Sequence, residues 1–309
     1  MGLKTPVAFL VFNRPDTTQQ VFTAIRQARP ETLLVVADGP RPDRYGEADL
    51  CAATRAIIDQ VDWPCDVLTN YADSNMGCKQ RISSGLDWVF GQVEEAIVLE
   101  DDCLPHPSFF PFCEQLLERY RDDERVMMIG GTNYLLDRLV VPESYFFSRY
   151  FAIWGWASWR RAWGKYDIAM KEWERFRSEN QVKSFFSQKF MQRYVTDMFD
   201  AAYQNRINTW DIQWFYSGLF NNGMSAVSKV NLISNIGICG THTSGDTSNN
   251  FFPTYDIEVD DLKHPCQVYP NFVYDDELFT TKLKSGLAGV VKKMRAVIKK
   301  RSLPWFSKV

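Results

Sequence analysis

The chain has 309 residues, 45% hydrophobic and 24% charged, the balance of an ordinary globular protein. Its 10 Trp, 13 Tyr and 22 Phe exclude a disordered chain, and no run approaches the roughly 18 apolar residues of a membrane-crossing helix. The net charge of −3 hides an asymmetry: residues 282–309 hold nine Lys or Arg and no acid, leaving 26 basic against 38 acidic residues elsewhere, so nucleic-acid binding over the body is excluded.

Residues 6–12 read as a short buried strand, followed by a helix capped by Asp16 with Gln19 in the capping-box position. Asn13, Arg14 and Pro15 stand where a signal peptide would have small residues, so secretion by that route is not expected, and seven scattered Cys fit a reducing cytoplasm as the expected location. Residues 32–37 form a second buried strand ending at Asp38-Gly39-Pro40. Residues 46–60 are helical in pattern and 66–71 are strand-like. Asn75-Met76-Gly77 breaks the chain before a helix through Trp88, and residues 96–99 are a fourth strand running into Glu100-Asp101-Asp102. This alternation predicts an α/β fold with a mostly parallel central sheet and helices on both faces, binding ligands beyond the carboxyl ends of its strands. Arg14, Asp38 and the acidic triplet fall at such ends.

After residue 105 the alternation weakens. A helix is predicted from Ser108 to about Arg121, a strand over 126–129, an aromatic stretch over 145–163 and a long helical region over roughly 170–205. Another helix begins at Trp210, a strand covers 230–238, and 244–280 reads as loop. In 282–309, Leu287, Val290, Val291, Met294, Val297 and Ile298 recur at helical spacing among Lys and Arg. Such a basic amphipathic helix either lies in an anionic membrane surface or docks on the acidic body.

Three adjacent carboxylates repel one another unless a cation neutralises them. At a buried strand end, Glu100-Asp101-Asp102 suits a hard cation that can also hold a diphosphate; the alternative is a solvated acidic turn. With three His and seven Cys lacking CxxC spacing, a metal would rely mainly on carboxylates, which points to Mg²⁺ or Mn²⁺. Asp38 is either a turn residue or a hydrogen-bond acceptor for a base or ribose. Arg14 either faces a phosphate or base or pairs with Asp16. Lys79 and Arg81 either neutralise phosphate or stay on the surface. Asp211, between Trp210 and Trp214, is either a helix cap over core tryptophans or a general base. The aromatic stretch is mainly core, with Gly155 and Trp156 as candidate site residues. Dinucleotide, P-loop and GxSxG motifs are all missing.

The segments FNRPD (12–16), VADGP (36–40), NMGCKQRISSGLDWVF (75–90) and AIVLEDDCLPHPSFF (96–110), in that order, resemble the GT-A glycosyltransferases. The resemblance points to the branch with bacterial family-2-like transferases and the inverting N-acetylglucosaminyltransferase of N-glycan processing. Gly155-Trp156, Trp210-Asp211-Ile212-Gln213-Trp214 and Thr241-His242 parallel later elements of that enzyme. Two departures stand out: Thr243 follows His242 where Gly is expected, and Ile212-Gln213 replaces a second acid. The resemblance implies a GT-A catalytic domain over 1–281, with a nucleotide-sugar half (1–105) and an acceptor half (106–281), before the 282–309 tail. It implies Asp102 and His242 on Mn²⁺ or Mg²⁺, and Glu100 and Asp101 orienting the metal and reaching the ribose or donor sugar. Arg14 and Asp38 would hold the nucleotide, with Lys79, Arg81, Gly155 and Trp156 also on the donor and Asp211 as base. The implied activity is metal-dependent inverting transfer from a UDP-sugar to a glycan or lipid-linked acceptor, in bacterial surface polysaccharide or lipopolysaccharide synthesis at the cytoplasmic membrane face. A sugar-nucleotide hydrolase, a nucleotidyltransferase and an inactive carbohydrate-binding or membrane-surface scaffold are the competing expectations.

Overall fold

The computed structural model describes residues 2–136, 141–237 and 253–280. The first half alternates as its hydrophobic pattern demands: β1 (Val7–Val11), α1 (Pro15–Ala28), β2 (Thr32–Ala37), α2 (Glu47–Ala56), β3 (Asp66–Tyr71), α3 (Cys78–Gln92) and β4 (Glu95–Glu100). Every residue of β1 is buried, as a parallel strand covered on both faces requires. The second half holds β5 (Cys103–Pro105), α4 (Phe109–Arg119), β6 (Val126–Gly130), β7 (Tyr145–Ser148), β8 (Trp156–Trp159) and α5 (Arg160–Trp163). It continues with α6 (Trp173–Ser178), α7 (Val182–Phe185), α8 (Lys189–Tyr203), α9 (Asp211–Phe220), β9 (Met224–Ser228), β10 (Ile233–Asn235) and a helix over 272–280, α10.

Eight strands form one sheet in the order β3-β2-β1-β4-β8-β6-β9-β7, and β10 pairs with β5 in a separate ribbon. β8 and β7 run antiparallel to their neighbours; the other six run together. The fold class is the expected α/β one, a mostly parallel central sheet with helices on both faces. Right-handed crossovers put α1 and α2 on one face, because β1, β2 and β3 step outward in turn. The return step from β3 to β4 puts α3 on the other face, where it meets α5.

Four local expectations change. α1 starts at Pro15 with Arg14 as an N-cap whose side chain makes no capping bond, so Asp16 is not the cap; Pro suits that first position because it has no N–H to satisfy. The helical region 170–205 divides into three helices, with Asn180 in the left-handed region (φ 56°) between the first two. The strand expected over 230–238 is displaced: β9 precedes it and β10 is only three residues long. The predicted 244–280 loop contains α10, whose Tyr274, Asp275, Leu278 and Phe279 are buried on one side of the helix, a period hidden among polar neighbours.

The aromatic stretch becomes core. Trp156, Trp163, Trp210 and Trp214 pack together with centroid separations from 5.2 to 6.4 Å, and Trp156, Trp210 and Trp214 are at most 2% exposed. Arg160 and Arg161 are structural: Arg160 bonds the Phe90 carbonyl and pairs with Glu94, and Arg161 bonds the carbonyls of Tyr120, Arg121 and Val126.

Candidate active site

A cavity of about 270 Å³ opens at the carboxyl ends of β1, β2 and β4. Its walls carry Arg14, Asp38, Arg81, Glu100 and Asp101. Larger hollows exist on the molecule, including one of about 780 Å³ against α6 and α8, but they lie away from these residues.

Three carboxylates reach this place because β4 stops at Glu100, and Asp101 and Asp102 turn beyond it. Asp101 is buried; its Oδ2 accepts the Phe12 N–H at 3.1 Å and its Oδ1 accepts the Arg14 Nη2. Asp102 Oδ2 accepts Arg14 Nη1 at 2.7 Å. Arg14 therefore pairs with Asp101 and Asp102 and not with Asp16. Burial pulls the Arg14 guanidinium down, but the two carboxylates outweigh it and the net shift is upward. Burial pushes Asp101 up to about 6 despite Arg14. Glu100 is driven well above the usual carboxylate range, first by burial and then by Asp102 and Asp101; Arg14 opposes the shift and Asp211 adds to it. Glu100 Oε1 is shut off from solvent without a hydrogen-bond partner.

Asp38 is fully occupied by the protein. Its Oδ1 accepts the N–H groups of Gly39 and Met76, both at 2.9 Å. Its Oδ2 accepts the Asn75 side-chain amide at 2.9 Å and the Gly77 N–H at 3.2 Å. Four bonds use the acceptor capacity of a carboxylate. Asp38 thus fixes the 74–77 turn, where a Cβ on Gly39 would collide with the backbone of Ser74. Arg81 is also turned inward: Nε donates to the Ala37 carbonyl at 3.1 Å and Nη2 to Asn70 Oδ1 at 2.8 Å, tying together the ends of β2 and β3. Lys79 leans the other way and donates to Asn205 Oδ1 at 2.8 Å.

Asp211 begins α9 and accepts the Thr209 hydroxyl. Asp211 does not line the cavity, but its charge reaches the wall: the Cys78 thiol is pushed up to about 12 by burial first and then by Glu100, Asp211 and Asp38. Gly155 adopts φ +59°, and a Cβ there would strike Ile233 of β10. Trp156 lies within the tryptophan cluster beneath the site and does not line the cavity. His242 and residues 282–309 lie outside the described residues. Asn75 and Cys78, from the 75–90 segment, and Asn208 line the cavity without having been named as site residues from the sequence.

Among the described residues no three His, Cys, Asp or Glu side chains are grouped to cage a metal ion. A small divalent ion bound with a diphosphate needs no such cage; one or two carboxylates, phosphate oxygens and water complete its shell. Asp102 fits that lesser role: its Oδ2 is shared with Arg14, while its Oδ1 has only the weak Cys103 thiol at 3.5 Å.

The chain matches no protein-family profile and no curated protein. Among solved structures, it is similar over 71% of its length to 70% of the mannosyltransferase PcManGT from Pyrobaculum calidifontis in complex with GDP-Man and Mn²⁺, at 11% identity and TM-score 0.40. It is similar over 76% of its length to 94% of a UDP-glucose pyrophosphorylase complexed with UDP-glucose, at 8% identity and TM-score 0.38. It is similar over 74% of its length to 86% of the inositol-1-phosphate CTP transferase from T. maritima, at 9% identity and TM-score 0.35.

Proposed function

We propose that the protein is an inverting glycosyltransferase that moves a sugar from a nucleotide-diphosphate donor to a hydroxyl of a glycan or lipid-linked acceptor. The observation that carries this reading is that Arg14, Glu100 and Asp101 line one cavity at the strand ends, with Asp102 paired to that Arg14 and Asp211 near enough to act on Glu100. UDP-sugars are the donors of choice, and surface polysaccharide or lipopolysaccharide the product class. The partners of this reading are the donor, the acceptor and an anionic membrane surface met by residues 282–309.

Asp211 takes the proton of the attacking hydroxyl, since a carboxylate within hydrogen-bond reach is a sufficient general base. Thr209 orients that carboxylate. Glu100 lines the cavity, where its carboxyl can hydrogen-bond the donor. Arg14 holds Asp101 and Asp102 in place and adds positive charge near the departing diphosphate. Asp102 would hold Mn²⁺ or Mg²⁺, which when bound neutralises charge on the leaving oxygens. Attack from the face opposite the leaving group inverts the anomeric configuration.

The test is Asp211→Asn assayed for nucleotide-diphosphate release and for sugar on the acceptor. Turnover should fall by about 10²–10⁴, the usual span for a general base, while donor binding persists. Near-normal turnover would refute the assignment. Free sugar released at the same rate with or without acceptor would replace transfer by hydrolysis.

A further inference from the structure

α10 buries Tyr274, Asp275, Leu278 and Phe279 against the body, yet its outward side begins with Phe272 and Val273, which are 41% and 69% exposed. Tyr269, one turn earlier and 62% exposed, packs edge-on against Phe272 at 5.4 Å. A helix that merely faced water would carry polar residues there. The Arg149 guanidinium sits 4.6 Å from the Phe272 ring centroid, and an adjoining cleft brings Arg175, Phe220 and Pro270 to the same surface. Residues 269–271 run beside β7, and the cleft reaches Met224 at the start of β9. This face therefore lies at the end of the sheet opposite the cavity and at the edge farthest from β3.

We propose that Tyr269, Phe272 and Val273 are the part of the body that enters an anionic lipid bilayer, so that the catalytic cavity opens away from the membrane. The proposal rests on the membrane reading of residues 282–309 and deepens it. α10 leads directly into that segment, with its nine cations, no acids and apolar residues at helical spacing. Exposed aromatic and aliphatic side chains that lead in sequence into a basic segment with apolar residues at helical spacing are what an interfacial contact requires: charge draws the protein to anionic headgroups, and apolar groups sink below them. Asp276 and Glu277 occupy the next outward positions of α10, Arg175 is paired with Glu172 and Glu179, and Arg149 donates to the Phe185 carbonyl, so the attraction comes from the 282–309 cations and the 269–273 patch supplies the inserted area.

The experiment is flotation of the full chain with vesicles of phosphatidylcholine alone and of phosphatidylcholine with phosphatidylglycerol, at low and high salt. The full chain should bind only the anionic vesicles and release at high salt. Tyr269→Ser/Phe272→Ser/Val273→Ser should bind about tenfold more weakly, as expected when exposed apolar area no longer inserts. Val273→Asp, a change at an open surface position that leaves the fold intact, should weaken binding in the same direction. Lys292→Gln/Lys293→Gln/Arg295→Gln should weaken binding and flatten its salt dependence. If that last variant weakens binding while Val273→Asp binds like the parent, the tail reading stands and the patch proposal is overturned. If the full chain ignores anionic vesicles at low salt, both fall.

Discussion

The two halves of the sheet are built on different rules. From β1 to β4 every strand is parallel, and the polar residues that matter follow directly on strand ends: Arg14, Asp38 and Glu100 to Asp102. From β8 to β7 two antiparallel strands enter, and the large side chains serve packing: four tryptophans make a floor from which α9 projects Asp211. One half supplies charge by position along a strand. The other supplies position through aromatic packing.

That contrast can be broken from either side. The largest effect is expected at the charge side, where Asp102→Asn should lower turnover by at least the 10²-fold of Asp211→Asn without altering the melting temperature, because Asp102 contributes one shared oxygen to an ion pair that Asp101 retains. A large loss of stability in Asp102→Asn would show that the triplet is structural. On the packing side, Trp214→Ala removes a fully buried side chain and should destabilise by about 3–5 kcal/mol in chemical denaturation. Turnover should fall as well, through displacement of Asp211; unchanged turnover in the fraction still folded would separate the floor from the catalytic group. Gly155→Ala follows, at roughly 2–4 kcal/mol, because the residue sits at φ +59° and its new methyl would overlap Ile233.

The smallest effect is a pH term. Burial raises Asp275, on α10, to about 6 from its usual 3.8, although Ser148 and the Arg149 N–H bond it. A carboxyl with a raised folded pKa binds protons more tightly in the folded state. Its cost is therefore present above about pH 6 and disappears as pH falls towards 4. Relative to Asp275→Asn, the parent should gain stability between pH 7 and pH 5, by roughly 1–3 kcal/mol at about 1.4 kcal/mol per pKa unit. A stability difference that does not change with pH would rule this out.

The legibility of the sequence follows the same divide. Buried parallel strands read as continuous apolar runs, so β1, β2 and β4 and the sheet type can be seen without coordinates, while β3 is a half-exposed edge strand of mixed composition. The clustering of Arg14, Asp38 and the acidic triplet follows from the topological rule for strand ends. What Asp38 and Arg81 do there cannot be read: Asp38 spends its four acceptor sites on the 74–77 turn, and Arg81 caps β2 and β3. A charged residue at a strand end looks alike whether it faces ligand or backbone. In the second half, β8 and α10 were hidden because aromatic and mixed segments have no clean period of 2 or 3.6. Trp156, a candidate for the site, belongs to the floor beneath it.

The most direct test is calorimetric titration of UDP-sugars and the corresponding nucleotide diphosphates into the parent chain and into Asp102→Asn, each with Mn²⁺ and with chelator. Saturable one-to-one binding by the parent, at least tenfold weaker in Asp102→Asn, is the expected result. Absence of binding by the parent to any nucleotide diphosphate, or equal binding by both proteins, would contradict it.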